Sequence, residues 1–282
     1  MQTIKEFIHH FFKNNLTFLE KNYPGLREKR ILDDYCQYHN LAPDQEYEIN
    51  ENDKFIKLIQ LGTPLEYILK ESFFYKNEFI VDSRVLIPRS ETEILVEDSI
   101  NFIREKYHPG FRILEVGVGS FCMGLTIAME VAKPLSLVGG DISIDALDVA
   151  KENLAKHQAM IPKGTQIDLV QSDRLSSIES KFDFIISNPP YIKVQKDRDG
   201  VHFQAHNFEP HTALYLEDQI YTEWFRDFFS ESFEKLNESG AFFMEGHEDH
   251  LEELKAIAEK IFKKVEIKKD YTHRERFLYA YK

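Results

Sequence analysis

The sequence predicts an α/β fold, a mostly parallel, doubly wound sheet behind a small helical domain. Three observations carry this reading. From about residue 90 onward, short apolar runs rich in β-branched and aromatic residues alternate with helical periodicity, the pattern of strand–helix–strand units. The first stretch of about 60 residues shows helical spacing alone. The chain's 282 residues, 43% hydrophobic and 13% aromatic, suffice for one large or two modest domains.

At the amino terminus, Ile4, Phe7, Ile8, Phe11, Phe12, Leu16 and Leu19 recur at helical spacing, interrupted by Lys5, Glu6, His9, His10 and Lys13. This is an amphipathic helix and not a signal peptide. No uninterrupted apolar stretch reaches the roughly 18 residues of a membrane span. A soluble, cytoplasmic protein with no membrane partner is expected. "YPG" (Tyr23 to Gly25) and "LAP" (Leu41 to Pro43) break the helices, and a short helix from Asp53 to Leu61 ends at "GTP". "SFFYKNEFIVD" reads as a hairpin broken at Lys76-Asn77. The expected division is a helical domain over 1–72, a hairpin connector over 73–88 and an α/β domain over 89–282.

Ser90 and Glu93 have capping-box spacing and predict a helix through about Lys106. The strand candidates follow as "RILEV", "LSLVGGD", "TQIDLVQSD", "FDFIIS", "GAFFME", "KVEIKK" and "RFLYAY". Only "DYTHRE" separates the last two, too little for a crossover helix, so they should pair antiparallel.

Charge and cysteine content restrict function. Thirty-five basic residues against 48 acidic ones give a net charge of −13, which repels a phosphate backbone. Nucleic acid is therefore not expected as a direct partner. Cys36 and Cys122 form no framework, and free buried thiols in a reducing compartment are expected.

Chemistry concentrates at the ends of the predicted strands. "ILEVGVGS" ends a strand at Glu115 and continues through Gly117, Val118, Gly119 and Ser120. Glycines there let the backbone turn sharply and approach a ligand. In a dinucleotide fingerprint the third glycine would fall at residue 122, where Cys122 stands. Asp141 ends the next strand with a carboxylate suited to ribose hydroxyls, so an adenosine-containing ligand is indicated. Asp173 and Arg174 follow the third strand, and "SNPPYI" follows the fourth.

Two consecutive prolines remove two backbone donors and fix two φ angles. The Asn188 side-chain carbonyl and the Pro189 backbone carbonyl are then two convergent acceptors, able to hold an NH2 group by both hydrogens. Tyr191 adds a π face that suits a planar group or a nearby cation. The set fits a planar amine or amide nitrogen attacking a methyl sulfonium.

These residues resemble the class I S-adenosylmethionine-dependent methyltransferases with an Asn-Pro-Pro-Tyr motif, and among them the HemK/PrmC release-factor glutamine methyltransferases. "GTPLEYIL", "RVLIPRSETEILVE", "EPHTAL" and "DYTHRERFLYA" are similar to that family's further elements, so the resemblance spans nearly the whole chain. It implies a Rossmann-like class I methyltransferase sheet with its last strand antiparallel, joined to an all-helical substrate-recognition domain through the hairpin.

It also implies S-adenosylmethionine as donor, S-adenosylhomocysteine as product, and a release factor's Gly-Gly-Gln loop as substrate. The donor site would comprise Glu115, Gly117, Val118, Gly119, Ser120, Phe121, Asp141, Asp173, Arg174 and Asn188, with Arg174 near the adenine edge. Asn188, Pro189, Pro190 and Tyr191 would hold the glutamine and carry the chemistry, and Pro88, Arg89 and Glu91 would shape the mouth. A monomer is expected. Phe121 stands where the family has its third glycine, and it either crowds the donor's methionine end or points into the core.

Other readings are a ribosomal-protein glutamine methyltransferase, an adenine amino-methyltransferase and a non-catalytic binding protein on the same fold. The "ETE" after "PRS" favours the release-factor branch, and no basic groove or target-recognition insert supports adenine. His202, His206 and His211 match no metal-site spacing, and "HEDH" is one residue short of the zinc-protease pattern, so no metal is assigned.

Overall fold

The computed structural model describes residues 2–47 and 53–282. Met1 and residues 48–52, which fall in the predicted helical domain, lie outside the described residues. The chain divides into two compact units, Met1–Glu71 with Val201–Glu209, and Ser72–Gly200 with Pro210–Lys282.

In the first unit, helices Ile4–Asn14, Leu16–Asn22, Glu28–His39, Lys54–Gln60 and Leu65–Leu69 surround a core that includes Ile4, Ile8, Phe11, Ile31, Tyr35, Phe55 and Ile59. Local sequence explains the boundaries. Thr3 and Glu6 form a reciprocal capping box at the first helix, Asn40 ends the third in the left-handed region, and Asp53 caps the fourth by accepting from Ile56 N at 3.0 Å. The short helix Phe203–Phe208 belongs to this unit: Phe203 lies over Gly62, and Gln204 donates to the Gly62 carbonyl at 3.0 Å. Gln2–Thr3 and Glu46–Tyr47 add a minimal antiparallel pair that helical periodicity could not reveal.

The second unit holds a seven-stranded sheet: β1 (Arg112–Val116), β2 (Ser136–Asp141), β3 (Gln166–Gln171), β4 (Phe182–Ser187), β5 (Leu236–Glu245), β6 (Lys264–Lys269) and β7 (Glu275–Tyr281). Their spatial order is β6-β7-β5-β4-β1-β2-β3. All neighbours pair parallel except β7, which runs antiparallel to both β5 and β6. This is the expected class I methyltransferase arrangement.

Helices α1 (Thr92–Lys106), α2 (Cys122–Val131), α3 (Ile144–His157), α4 (Tyr221–Lys235) and α5 (Leu251–Ala258) accompany the sheet. Ile113, Phe184, Phe243 and Tyr279 enter one apolar layer, while Leu114, Ile185, Phe242 and Leu278 enter the other. Burial on both faces explains the near-continuous apolar runs.

Two local expectations are corrected. The predicted capping box at Ser90 does not form: α1 begins at Thr92, and the Glu93 carboxylate instead accepts from Tyr75 N at 2.9 Å. The hairpin strands Glu71–Phe74 and Asn77–Ile80 turn at Tyr75-Lys76, one residue earlier than predicted, with Tyr75 at φ 59°. Asn153 of α3 holds the hairpin through Ile80 N at 2.7 Å and Ile80 O at 2.9 Å.

Candidate active site

Parallel register aligns the carboxyl ends of β1, β2, β4 and β5: Val116 pairs with Gly140 and Ser187, and Ser187 with Met244. At this edge lies a cavity of about 320 Å³, confined to the second unit. Ser187 Oγ donates to Val116 O at 2.7 Å and ties the turn after β4 to the turn after β1.

The glycine turn is built for close approach. Gly117 and Gly119 have φ of 74° and 50°, which only glycine adopts without strain, and a Cβ at either would project into open space beside the cavity. Gly117 N donates to Gly140 O at 2.8 Å, and Gly119 N to Asp141 Oδ2 at 2.9 Å. Asp141 Oδ1 accepts from Ser143 N at 2.9 Å, so its carboxylate is fixed and retains lone pairs for further donors. Burial raises the Asp141 pKa against the pull of these amides.

Glu115 is fully buried on the cavity wall; its Oε2 accepts from Gly124 N at 2.7 Å, and its Oε1 has no partner among the described residues. Burial, reinforced by Asp141, holds its pKa well above the ordinary value. A cation at this wall, such as the ammonium group of an amino-acid-bearing donor, would favour the ionised carboxylate and offset its burial. The open glycine turn and the anchored Asp141 fit a ribosyl group, so the residues present suit S-adenosylmethionine.

Phe121 settles the question left open by its position. Its ring is fully buried in the core, outside the residues that line the cavity, and its φ of 64° makes the turn that glycine would make elsewhere. Arg174 lines the cavity; its Nη2 pairs with Glu231 at 2.9 Å and its guanidinium lies 5.6 Å over the Trp224 ring, while its buried Nε has no partner among the described residues.

Asn188, Pro189 and Pro190 line the same cavity, as do Val118, Ser120, Asp173, Pro88 and Arg89. Glu91 does not; its Oε2 accepts from Ser90 Oγ at 3.1 Å. Tyr191 is also outside the lining, with its hydroxyl directed inward to Glu245 Oε1 at 3.0 Å and its backbone carbonyl accepting from Tyr221 Oη at 3.2 Å. Burial and the Glu245 carboxylate push the Tyr191 phenol well above its usual pKa, so it donates.

The sequence reading did not single out Thr92, Tyr215, Leu216, Trp224 or Phe228, all of which line the cavity. Trp224, the chain's single tryptophan, offered only a weak signal. Glu245 was missed too, although a carboxylate ending a strand is what drew attention to Asp141.

Asp197, His247 and His250 bring ligand-type atoms within 4.8 Å of one another. Asp197 Oδ2 already accepts from His250 Nε2 at 2.8 Å and Lys193 N at 2.9 Å, so the group is accounted for as a hydrogen-bonded cluster and no metal is assigned.

Comparisons with known proteins agree with this geometry. The methyltransferase small domain family matches residues 93–208. The catalytic domain of hMettl16, solved in complex with the MAT2A 3'UTR hairpin 6, shares the fold at TM-score 0.57 and 15% identity, covering 91% of this chain and 93% of that one. The Thermus thermophilus 16S rRNA methyltransferase RsmC, solved with AdoMet and guanosine, does so at TM-score 0.53 and 16% identity, over 75% of this chain and 49% of that one.

Among curated relatives, the release factor glutamine methyltransferase of Haemophilus influenzae is 33% identical over 226 residues, 76% of this chain and 74% of its own length. Its namesake from Streptococcus pneumoniae is 36% identical over 208 residues, 72% and 70% of the two chains. Identity at this level over most of both chains establishes common descent, and the protein belongs to the family of release factor glutamine methyltransferases.

Proposed function

We propose that the protein transfers a methyl group from S-adenosylmethionine to the side-chain amide nitrogen of the glutamine in the Gly-Gly-Gln loop of peptide chain release factors. The observation that carries this reading is the placement of Asn188 and Pro189 on one cavity with Gly117, Gly119 and Asp141. A nitrogen-holding motif and a donor-type glycine turn thereby face the same small volume.

The donor, when bound, supplies an electrophilic methyl group on a sulfonium. An amide nitrogen is a weak nucleophile because its lone pair is delocalised into the carbonyl. Asn188 Oδ1 and the Pro189 carbonyl accept the two amide N–H groups and hold the nitrogen with its lone pair toward the methyl. Orientation of this kind lowers a barrier by about 7–11 kcal/mol in favourable cases. The methylated nitrogen releases its proton after transfer, so no side chain needs to act as a strong base beforehand. Glu115, Gly117, Gly119 and Asp141 hold the donor, and Pro88 and Arg89 border the opening through which the glutamine enters. The helical unit contributes recognition of the protein substrate, and the enzyme acts as a monomer.

Labelled donor incubated with a purified release factor tests the reading. Label should enter the release factor and be absent when the loop glutamine is replaced by alanine; equal labelling of both would contradict it.

A further inference from the structure

Glu245, the last residue of β5, is fully buried, and each of its carboxylate oxygens accepts one hydroxyl: Oε2 from Thr92 Oγ1 at 2.6 Å and Oε1 from Tyr191 Oη at 3.0 Å. Thr92 opens α1, lies inside "RSETEI", and is 3% exposed. Its Oγ1 is also 3.4 Å from Asn188 Nδ2. One carboxylate therefore reaches both ends of the Asn-Pro-Pro-Tyr motif, directly at Tyr191 and through Thr92 at Asn188.

Polarity along this chain is fixed by the inventory of donors. Burial raises the Glu245 pKa, but the Thr92 and Tyr191 hydroxyls and the nearby Arg276 charge favour the ionised form. As a carboxylate it only accepts, and a separation of 2.6 Å is that of a charge-assisted O–H···O⁻ bond. The single proton of Thr92 thus points at Glu245, leaving only lone pairs for Asn188. The group of Asn188 facing Thr92 must then be its NH2. Its carbonyl oxygen is left turned away from Thr92 and available to the cavity.

We propose that Glu245 and Thr92 are positioning residues that set the amide orientation of Asn188, so that the motif presents an acceptor, and never a donor, to the incoming nitrogen. The inference deepens the glutamine reading and rests on it. A flipped Asn188 amide would oppose its own NH2 to the substrate's NH2, a repulsive pairing. The relay also gives "SETE" a role: its threonine connects the end of β4 to the end of β5.

The test compares Thr92→Val, which keeps shape but removes the hydroxyl, with Thr92→Ser, which restores it, and with Glu245→Gln. Thr92→Val and Glu245→Gln should each lower kcat for release-factor methylation by about tenfold or more, with donor Kd by calorimetry held within about twofold, and Thr92→Ser should recover most of the loss. If Thr92→Val does not fold, the Glu245→Gln and Thr92→Ser pair decides. A Thr92→Val enzyme with wild-type kcat, or a Thr92→Ser enzyme as impaired as Thr92→Val, would overturn the proposal.

A substrate-independent arm uses protein with isotope-labelled asparagine side-chain amides. The Asn188 NH2 signal, identified by its loss in Asn188→Ala, should be protected from solvent exchange in wild type and Thr92→Ser and exposed in Thr92→Val. Unchanged protection in Thr92→Val overturns the relay. An inactive wild type with the protection pattern intact would instead count against the substrate reading alone.

Discussion

Phe121 occupies the space that a side chain at Gly124 would need: a Cβ there would stand 2.6 Å from Phe121 Cε2. No glycine stands at this turn position, and the aromatic ring there packs inward against a glycine three residues later. Phe121→Gly should therefore empty core volume and not open the donor site. Loss of a buried Phe side chain costs about 3–5 kcal/mol, offset by about 1–2 kcal/mol for relief of the left-handed backbone. Urea unfolding should show a net loss of about 1–4 kcal/mol, the difference of those two ranges, and calorimetry with S-adenosylmethionine should show no tightening.

Gly119→Val should act in the opposite way. Its side chain enters open space next to the cavity, so the folded state suffers mainly the left-handed penalty of about 1–2 kcal/mol. Donor binding, measured by calorimetry, should weaken by about tenfold or more because the Cβ branches into the ligand's volume.

Asn188→Ala should leave the fold and most donor affinity in place while reducing methyl transfer by about 10²-fold or more. Circular dichroism, calorimetry and a labelled-methyl assay on the same preparation separate the three quantities. A variant with near-native turnover would remove Asn188 from the mechanism.

Burial pushes the Cys122 thiol up to about 12, and burial also raises Cys36. Neither is thiolate in the folded protein at pH 8. A thiol reagent should modify Cys122, which borders the cavity, slowly in native protein at pH 8 and quickly in denaturant; prompt reaction of native protein would contradict the raised thiol pKa.

Two histidines make stability depend on pH. His157, whose Nε2 lies 3.1 Å from Glu78 O, and His247 are both held below the ordinary value of 6.5, chiefly by burial. In the window between that value and the depressed folded ones, the unfolded chain binds more protons, so stability rises with pH. Their contribution is complete above 6.5 and is lost as pH falls through the folded values. The urea midpoint should drop from pH 7.5 to pH 5.5, and His157→Gln should flatten the decline.

How much of this was legible in the sequence differs by residue. Strand runs such as "RILEV" and "FDFIIS" matched β1 and β4 because burial on both faces leaves continuous apolar segments. Gly117, Gly119, Asp141 and Asn188 were legible because strand ends converge on one edge in a parallel sheet. The Ser90 cap failed because a tertiary contact from Tyr75 took the Glu93 carboxylate. The Glu245–Thr92–Asn188 chain was illegible because its members are 153 and 96 residues apart, and it takes both the register of β4 against β5 and the placement of the start of α1 to bring them together.

The central claim is best tested by mass spectrometry of a purified release factor after incubation with this protein and S-adenosylmethionine. The account predicts a mass increase of one methyl group, mapped by fragmentation to the glutamine of the Gly-Gly-Gln loop and absent with Asn188→Ala. An unmodified release factor in the presence of folded, donor-binding protein, or a methyl group mapped to any other residue, would contradict it.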